Sequence, residues 1–481
     1  MSDADQAVLA EARASNGHPV FFLGCFERRV TFYSQQVRAF NLAHALISAK
    51  AVRDHGHMAI VGGGIAGATL AAAMAQALPG LKITIFEQGD SLFYLQRGGR
   101  DRFVHPHIFD WPDASADNPQ AGLPLMDWHA APSDQVVQRM ASQFAAIKQQ
   151  GSIVERLETC VEGVESNQLS ARLKVGGATE PQWYDAVVLA IGFGREHHVA
   201  PQSNPSYWSP SALPTPLLGA SQTNKIFISG NGDGGLTDFV LAGFRGNTHQ
   251  DIIRIVEQDS LDEVKQVLLD IEARAWCDPL FDVYGAYWAE LKEVLPSSLL
   301  QNFNDGLRSN AEIVFHTREE RLFKRETAIL NRFLAFLIIY ADQKFEHHHI
   351  TVVTNCALLS SPDEANVVQL AGEKKYVAAM RLLRFGPNGK DNLNPFAEWA
   401  ELYTAAHMHS HKHRPATPGL TAGARLRWPD VPAIDAAPAV APPADAGAPA
   451  GTAPAAGPSV RINCVGDVAA GASVSQQYFG K

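Results

Sequence analysis

The stretch that decides the fold is His57–Gln88, HMAIVGGGIAGATLAAAMAQALPGLKITIFEQ. A short apolar segment, residues 58–61, runs into three glycines, and an alanine-rich segment at helical length follows them. A second apolar segment, residues 82–86, comes next and ends in an acid. A strand, a glycine-rich turn, a helix and a second strand in this order predict a βαβ unit of a parallel sheet.

Each glycine of the turn has a mechanical reason to be there. Gly62 allows the tight turn, Gly64 lets the backbone approach a pyrophosphate, and Gly67 lets the helix pack closely on the strand. The helix N-terminus supplies N–H donors and the positive end of its dipole. Glu87 ends the second strand, where an acid accepts hydrogen bonds from the hydroxyls of an adenosine ribose. The predicted dinucleotide-binding residues of this turn are Gly62, Gly64, Ala66, Gly67, Glu87 and Gln88.

The same pattern occurs a second time in Lys225–Phe244, KIFISGNGDGGLTDFVLAGF. Gly230, Gly232 and Gly235 have the spacing of the first three glycines. Repetition of a whole unit within one chain predicts two dinucleotide sites. A glycine-rich turn without a ligand is the alternative, since Asp233 puts a negative charge beside the turn.

The second strand of this repeat is predicted at residues 251–256, and Glu257 ends it. A carboxylate there accepts a hydrogen bond from a free ribose 2′-hydroxyl and repels a 2′-phosphate. Glu257 therefore predicts NADH in preference to NADPH, although Arg245 and Arg254 lie near enough in sequence to weaken that preference.

Two segments outside the repeats resemble flavoproteins. Leu95–Arg102, LQRGGRDR, resembles the Gly-Gly doublet of FAD-dependent oxidoreductases, which implies that Arg97 and Arg100 contact the FAD diphosphate; a charged surface turn is the alternative. Tyr184–Glu196, YDAVVLAIGFGRE, resembles the strand that crosses between the nucleotide domains of two-dinucleotide-binding flavoproteins, which implies a cofactor role for Gly192.

His197 and Pro201 resemble part of the Baeyer–Villiger monooxygenase fingerprint, although Ala190 stands where that fingerprint has Phe. The resemblance to two-dinucleotide-binding FAD/NAD(P)-dependent flavoproteins covers about residues 57–390. It implies an α/β fold in which an FAD-binding Rossmann-like domain carries an inserted second dinucleotide-binding domain and helical segments.

Six segments are expected along the chain. The N-terminal extension, with a strand in VFFLGCF and a helix near residues 31–50, is expected to pack outside the first domain or to complete one of its pockets. The segments are the extension (1–56), the first part of the FAD-binding domain (57–215), the second dinucleotide-binding region (216–310), a helical segment that returns to the FAD domain (311–430), an Ala/Pro-rich linker (431–459) and a C-terminal tail (460–481).

Catalytic candidates come from His105–Pro112, HPHIFDWP, which follows the glycine doublet. This loop is expected near the flavin, with a rigid packing loop as the alternative, and His107 and Asp110 are its candidate acid–base residues. No metal site is expected, because neither His347–His349 nor the alternating histidines of residues 407–413 have the spacing of metal ligands.

Composition excludes several functions. The net charge of −10 argues against nucleic acid as a partner. No apolar run approaches the ~20 residues that cross a bilayer. The first residues are acidic where a signal peptide has basic ones, and no apolar stretch follows them, so neither membrane insertion nor secretion is expected. The five cysteines are widely spaced and form no CxxC, which excludes a redox-active disulfide of that kind and suits a reducing cytosol.

These observations predict a cytoplasmic FAD-dependent oxidoreductase, reduced by NADH or NADPH and acting on a small molecule, with monooxygenation as one possible reaction. An amine-oxidase-like enzyme is one alternative, in which the substrate itself reduces the flavin and the second turn is structural. The other is a nucleotide-binding sensor whose C-terminal tail recruits a protein partner.

Overall fold

The computed structural model describes most of the chain in two units. It covers residues 1–27, 29–100, 102–194, 206–208, 224–244, 256, 261–359, 367–372, 374–386, 389–407 and 417–429. The Ala/Pro-rich linker and the tail, residues 431–481, lie outside the described residues, and so do His197, Pro201 and Glu257.

The first unit is built on a parallel sheet of five strands. In spatial order they are β1 (Val20–Phe22), β10 (Ala186–Leu189), β2 (His57–Val61), β3 (Lys82–Phe86) and β6 (Ser152–Arg156). Side chains alternate between the two faces, so that Met58 and Ile60 join one apolar cluster while Ala59 and Val61 join another. Both faces of the sheet are therefore buried, as is usual for a parallel sheet.

Helices cover one face of the first sheet, and an antiparallel meander covers the other. The helices are α2 (Phe32–Ser48), α3 (Ile65–Ala77), α4 (Ser133–Gln150) and α12 (Ala422–Arg427). The meander is β7 (Val161–Ser166), β8 (Ala171–Val175) and β9 (Ala178–Thr179), beside α11 (Ala397–His407).

The second unit has four parallel strands. In spatial order they are β13 (Ile350–Val353), β12 (Ala311–His316), β11 (Asn224–Ser229) and β17 (Met380–Leu383). Its helical face holds α5 (Asp233–Gly243), α6 (Asp262–Cys277), α7 (Val283–Ala289), α8 (Ser297–Gly306) and α9 (Ile329–Lys344). Its other face holds a meander of β14 (Leu358–Leu359), β15 (Val367–Leu370) and β16 (Lys375–Val377).

Four short elements complete the described structure. They are α1 (Asp3–Ala12), the two-stranded ribbon β4 (Phe103–Val104) and β5 (Ala131–Pro132), and α10 (Gly389–Leu393). Single turns of 3-10 helix lie at Ala114–Asp117, Leu291–Glu293 and Asn394–Phe396.

The two units repeat one order of elements. In each, a strand, a helix, a strand, a helix and a strand are followed by a three-stranded meander and a last strand that returns beside the first. The second unit adds α6–α8 between α5 and β12. The fold class predicted from the sequence, a parallel α/β architecture with a second dinucleotide-binding unit, is confirmed by this repetition.

The N-terminal residues belong to the first sheet. β1 pairs in parallel with β10, and α2 is buried along most of its length against α3. Residues 1–56 are therefore not an extension packed outside the domain, and the boundary predicted at residue 57 does not separate a domain from its surroundings. A three-residue strand cannot form this sheet alone; it is held by a partner that comes much later in the chain.

The second unit extends beyond residue 310, where the second dinucleotide-binding region was expected to end. β13 pairs with β12, so this strand completes the second sheet and not the first; the chain returns to the first unit only with Leu393, Phe396 and Trp399. Both edges of β11 are occupied by β12 and β17. The strand expected at residues 251–256 lies outside the described residues except for Val256.

Candidate functional site

The first glycine turn is fixed by packing at two positions and open at a third. A Cβ atom at Gly62, where φ is +107°, would lie 2.3 Å from the carbonyl oxygen of Ala190. A Cβ atom at Gly67 would lie 2.0 Å from the carbonyl oxygen of Gly62, while one at Gly64 would meet no heavy atom within 4 Å. No side chain caps α3 at Gly64. The N-terminus of α3 therefore has open space at Gly64 and no capping side chain, which fits the pyrophosphate of a dinucleotide.

Glu87, the acid predicted for the first turn, lies beside that turn. The Gly62 N–H donates to the carbonyl oxygen of Phe86 (2.8 Å), which brings the end of β3 next to the turn. The Glu87 carboxylate accepts hydrogen bonds from the N–H groups of Gly63 and Gly89, both at 2.7 Å. These bonds hold Glu87 beside the turn, in a position to bind a ribose. Ala66 is buried in α3, and Gln88 is exposed beside Glu87.

The second turn repeats the backbone of the first. A Cβ atom at Gly230, where φ is +124°, would lie 2.0 Å from the carbonyl oxygen of Arg384, and one at Gly235 would lie 1.9 Å from that of Gly230. A Cβ atom at Gly232 would meet no heavy atom within 4 Å, and no side chain caps α5 there. The second turn therefore has the same open helix N-terminus.

Asp233 is tied to a neighbouring helix. Its carboxyl group accepts hydrogen bonds from the Ala328 N–H and from the Asn331 side chain, both at 2.8 Å, at the start of α9. Burial is the largest influence on this group and raises its pKa, although these hydrogen bonds act in the opposite direction. The charge that the sequence places beside the turn is thus partly used to hold α9.

The residue that corresponds to Glu87 in the second turn is Thr317. The Gly230 N–H donates to the carbonyl oxygen of His316 (2.9 Å), as the Gly62 N–H does to Phe86. The residue after the neighbouring strand is therefore Thr317. The sequence does not identify β12 as the neighbour of β11, because the inserted helices α6–α8 separate β12 from α5.

The predicted diphosphate arginines lie on the surface near the first turn. The Phe93 N–H donates to the carbonyl oxygen of Gly63 (3.0 Å), so this loop does approach the turn. Arg97 is exposed and its Nε donates to the carbonyl oxygen of Leu92 (3.0 Å). The Arg100 side chain is 82% exposed and lies 3.9 Å from the Asp134 carboxylate.

Gly192 lies at the end of β10, beside the first turn. Its φ is +63°, and the Asn392 side chain donates to its carbonyl oxygen (3.2 Å). The preceding residue, Ile191, has its Cα 3.3 Å from where a Cβ of Gly62 would lie. The structure therefore brings Gly192 to the first turn.

The catalytic candidates form a hydrogen-bonded group. His107 Nδ1 lies 3.1 Å from an Asp110 carboxylate oxygen, and His107 Nε2 lies 3.1 Å from the carbonyl oxygen of Gln120. Thr417 donates to the other Asp110 oxygen (2.6 Å). Burial alone would raise the pKa of Asp110, but the hydrogen bonds from His107 and Thr417 hold it below its usual value. Burial lowers the pKa of the neighbouring His105 to about 3, so this histidine is neutral.

The loop that carries this group packs into the second unit. The Trp111 ring stacks on Phe333 of α9, with ring centroids 5.6 Å apart. Arg29, in the loop after β1, lies with its guanidinium 5.0 Å from the centroid of the Phe109 ring. Phe109 and Trp111 thus bring this loop to the junction of the two units, while His107 and Asp110 bond to each other, to Gln120 and to Thr417.

A buried charge cluster at this junction was not predicted. Asp238 of α5 binds Arg102 of the first unit and Arg384 at the end of β17, each at 2.6 Å, and the three side chains are at most 2% exposed. The Arg102 guanidinium also lies 3.8 Å from the centroid of the Tyr207 ring. Nothing in the sequence relates these residues, because they come from separate segments.

Other kinds of site are not found in the described part of the chain. Cys25, Cys160, Cys277 and Cys356 are all free thiols, and burial raises the pKa of Cys25 to about 12. The described histidines, cysteines and acids form no cluster able to hold a metal ion. None of the described helices has the length and apolar character needed to cross a membrane.

Comparison with known proteins identifies one domain family. Residues 60–120 match the family model described as an NAD(P)-binding Rossmann-like domain. This range contains the first turn, β3 and the loop with the catalytic candidates. A search of curated proteins found no match.

Several solved structures are similar to the chain. Thioredoxin reductase from Lactococcus lactis in its FR conformation is 9% identical, with a TM-score of 0.34, and the match covers 69% of this chain and 77% of that chain. The covalent putidaredoxin reductase–putidaredoxin complex is 13% identical, with a TM-score of 0.36, and the match covers 74% of this chain and 62% of that chain. An NAD-dependent persulfide reductase from A. fulgidus is 15% identical, with a TM-score of 0.35, and the match covers 72% of this chain and 47% of that chain. The chain thus spans less than two thirds of the second and third of these proteins.

Likenesses of this size assign no activity to the chain. The family match and the two repeated turns are the stronger findings. At the level of the fold, they confirm the predicted resemblance to two-dinucleotide-binding proteins, with the first Rossmann-like domain built around Gly62, Gly64 and Gly67.

Proposed function

We propose that the chain is an FAD-dependent oxidoreductase that takes its electrons from a nicotinamide dinucleotide and acts on a small molecule. The observation that carries this proposal is the repetition of one open glycine turn in two units that are in direct contact. Two dinucleotide sites in one folded body are what an enzyme needs to pass electrons from one cofactor to another.

The first turn is the better fit to FAD. Its helix N-terminus is open at Gly64, and the Glu87 carboxylate lies beside the turn, where a ribose would bind. Gly192 borders the turn on the side of β10. When bound, a flavin accepts a hydride from a nicotinamide and passes electrons to an acceptor. The α3 N–H groups would bind the pyrophosphate, and the Glu87 carboxylate would accept hydrogen bonds from the ribose.

The second turn would hold NADH or NADPH. Its helix N-terminus is open at Gly232, and the buried ion pairs of Asp238 with Arg102 and Arg384 join α5 to the first unit. These pairs would keep the two turns in one relative position. Since hydride transfer depends on the distance between the reacting atoms, a fixed relation of the units favours the reaction.

His107 and Asp110 remain the candidate acid–base residues. Asp110 orients the His107 ring through its Nδ1 atom. The reaction itself, whether monooxygenation or another oxidation, is decided by the acceptor. A thiol–disulfide mechanism is not proposed, because the sequence has no CxxC and the described cysteines are free. Free cysteines also fit a reducing cytosol.

The test compares two glycine variants with a matched control. Gly64→Val and Gly232→Val each place a side chain where a Cβ atom meets nothing, so both proteins should fold and lose only the ligand of their own turn. Gly419→Val is the control, because a Cβ atom there also meets nothing and the residue precedes α12 and belongs to neither turn.

The expected results differ between the two variants. Purified wild-type and Gly419→Val proteins should be yellow, and NADH or NADPH should bleach the flavin band without oxygen. Gly64→Val should be colourless, and Gly232→Val should be yellow but slow to bleach. A colourless wild-type protein would exclude the FAD proposal. A Gly232→Val protein that bleaches at the wild-type rate would make the second turn structural and favour an oxidase reduced by its own substrate.

A further inference from the structure

We propose that the second turn prefers NADPH to NADH, and that Arg318 is the residue that binds its 2′-phosphate. This inference rests on the proposed function of the second turn as a nicotinamide dinucleotide site. It is the opposite of the preference that Glu257 suggested from the sequence, because that preference assumed a different neighbouring strand.

The register of the two sheets identifies the residues beside each ribose. In the first unit, Val61 pairs with Phe86, and Glu87 follows. In the second, Ser229 pairs with His316, and Thr317 follows. The Gly62 N–H donates to the carbonyl oxygen of Phe86 (2.8 Å), and the Gly230 N–H donates to that of His316 (2.9 Å). Thr317 and Arg318 therefore occupy the positions of Glu87 and Gln88.

No carboxylate stands at the position that excludes a 2′-phosphate. Thr317 is 2% exposed, and its hydroxyl accepts a hydrogen bond from the Glu319 N–H (3.1 Å). A hydroxyl carries no charge, so the electrostatic repulsion that Glu87 would exert in the first unit is missing in the second.

The carboxylate two residues after Thr317, Glu319, has a partner at each of its oxygens. One of its oxygens accepts a hydrogen bond from the Asn231 side chain (3.2 Å), and the other lies 2.8 Å from the Lys324 ammonium group. Lys324 balances the charge of Glu319, and Asn231 fixes its position. Glu87 has only neutral N–H partners, whereas Glu319 is paired with a cation, so Glu319 exerts little repulsion on a phosphate.

Arg318 is free to bind an anion. Its side chain is exposed, and it makes no hydrogen bond or ion pair with the other residues that the structure describes. It directly follows the position at which Rossmann units discriminate between the two dinucleotides, where a nearby arginine accommodates a 2′-phosphate. A planar guanidinium binds phosphate through paired hydrogen bonds, which an ammonium group cannot do.

The test measures binding to the purified protein and not its activity. NADP⁺ and NAD⁺ do not reduce an oxidised flavin, so isothermal titration can compare them directly. Wild-type protein should bind NADP⁺ about ten- to a hundredfold more tightly than NAD⁺, the value of a hydrogen bond between charged partners. Arg318→Ala should lose this difference while binding NAD⁺ as before, and Arg318→Lys should restore part of it.

A control removes a positive charge from the opposite edge of the same sheet. Lys225 is exposed near the start of β11 and pairs with Glu312, so Lys225→Ala changes the net charge as Arg318→Ala does. It should leave both affinities unchanged. Tighter binding of NAD⁺, or equal NADP⁺ binding by wild type and Arg318→Ala, would overturn the inference alone. Failure of both dinucleotides to bind would overturn the proposed function of the second turn and the inference with it.

Discussion

The two units share a backbone and differ in the side chains around it. In both, the first and third glycines are enforced by a carbonyl oxygen about 2 Å from any Cβ atom, and the second glycine faces open space. In each unit, the residue after the last strand bonds to the end of the strand that leads into the glycine turn. The Ala190 N–H donates to the carbonyl oxygen of Val61 (2.8 Å), and the Arg384 N–H donates to the carbonyl oxygen of Ser229 (2.6 Å).

The difference lies in the residues at the end of each neighbouring strand. Ala190 is small and leads to Gly192 in the first unit, whereas Arg384 carries a buried charge in the second. Glu87 in the first unit corresponds to Thr317 in the second. Under the proposed function, the turn makes room for a dinucleotide, and the residues that end the adjacent strands select which one binds. In the second unit, one of these residues, Arg384, also takes part in the ion pairs that join the unit to the first.

The largest expected effect comes from the charge cluster that only the second unit has. Asp238→Asn keeps the shape of the side chain but leaves the buried guanidinium groups of Arg102 and Arg384 without their carboxylate. Removing one partner of a buried ion pair costs about 3–5 kcal/mol. The free energy of unfolding in urea should fall by about this amount.

The control for this prediction is an ion pair with a long distance and an exposed arginine, the Asp134 side chain being 13% exposed. Asp134→Asn removes the partner of Arg100, whose side chain is 82% exposed, and should cost no more than about 1 kcal/mol. If Asp238→Asn and Asp134→Asn unfold at the same urea concentration, the cluster does not hold the two units together.

A smaller effect separates the glycines that build each turn from those that leave room for a ligand. Gly62→Ala and Gly230→Ala force a side chain against a carbonyl oxygen at a positive φ, which should cost roughly 2–3 kcal/mol. Gly64→Ala and Gly232→Ala should change the unfolding free energy by less than about 0.5 kcal/mol. Thermal melts of the ligand-free proteins would show the contrast. Equal melting temperatures for Gly62→Ala and Gly64→Ala, or for Gly230→Ala and Gly232→Ala, would contradict it.

The sequence contained the parts of the fold that depend on local pattern. The first turn, its strands and Glu87 were predicted correctly, because glycine spacing and apolar periodicity are local signals. β1 and α2 were also predicted as elements. Their place inside the first sheet could not be predicted, since it depends on β10, which lies far along the chain.

The features of the structure that were not predicted depend on contacts between distant segments. Residues 251–256 are rich in isoleucine and valine and are followed by Glu257, which is the local pattern of the expected second strand. Only the sheet shows that β12, which comes after an insertion of three helices, is the neighbour of β11. The Asp238 cluster joins three segments, and no periodicity relates them.

The smallest expected effect tests why Glu319 does not act as the second acid. Asn231 stands where the first turn has Gly63, and its side chain donates both to Glu319 and to the carbonyl oxygen of Arg321 (3.0 Å). Asn231→Ala removes both hydrogen bonds but leaves the pairing of Glu319 with Lys324. The cost should be about 1 kcal/mol, because Glu319 is partly exposed and water replaces the lost donor.

The same variant should slightly change which dinucleotide the second turn prefers. Without Asn231, one oxygen of Glu319 becomes available to a ribose hydroxyl, while the Lys324 ammonium group still balances its charge. The preference for NADP⁺ over NAD⁺ should therefore shrink by less than about tenfold, mainly through tighter NAD⁺ binding. Titration of Asn231→Ala beside the double variant with Glu319→Gln checks the cause, because the double variant should regain the wild-type preference. If the preference instead increases in Asn231→Ala, Glu319 lies away from the ribose, and Thr317 and Arg318 alone distinguish the second site from the first.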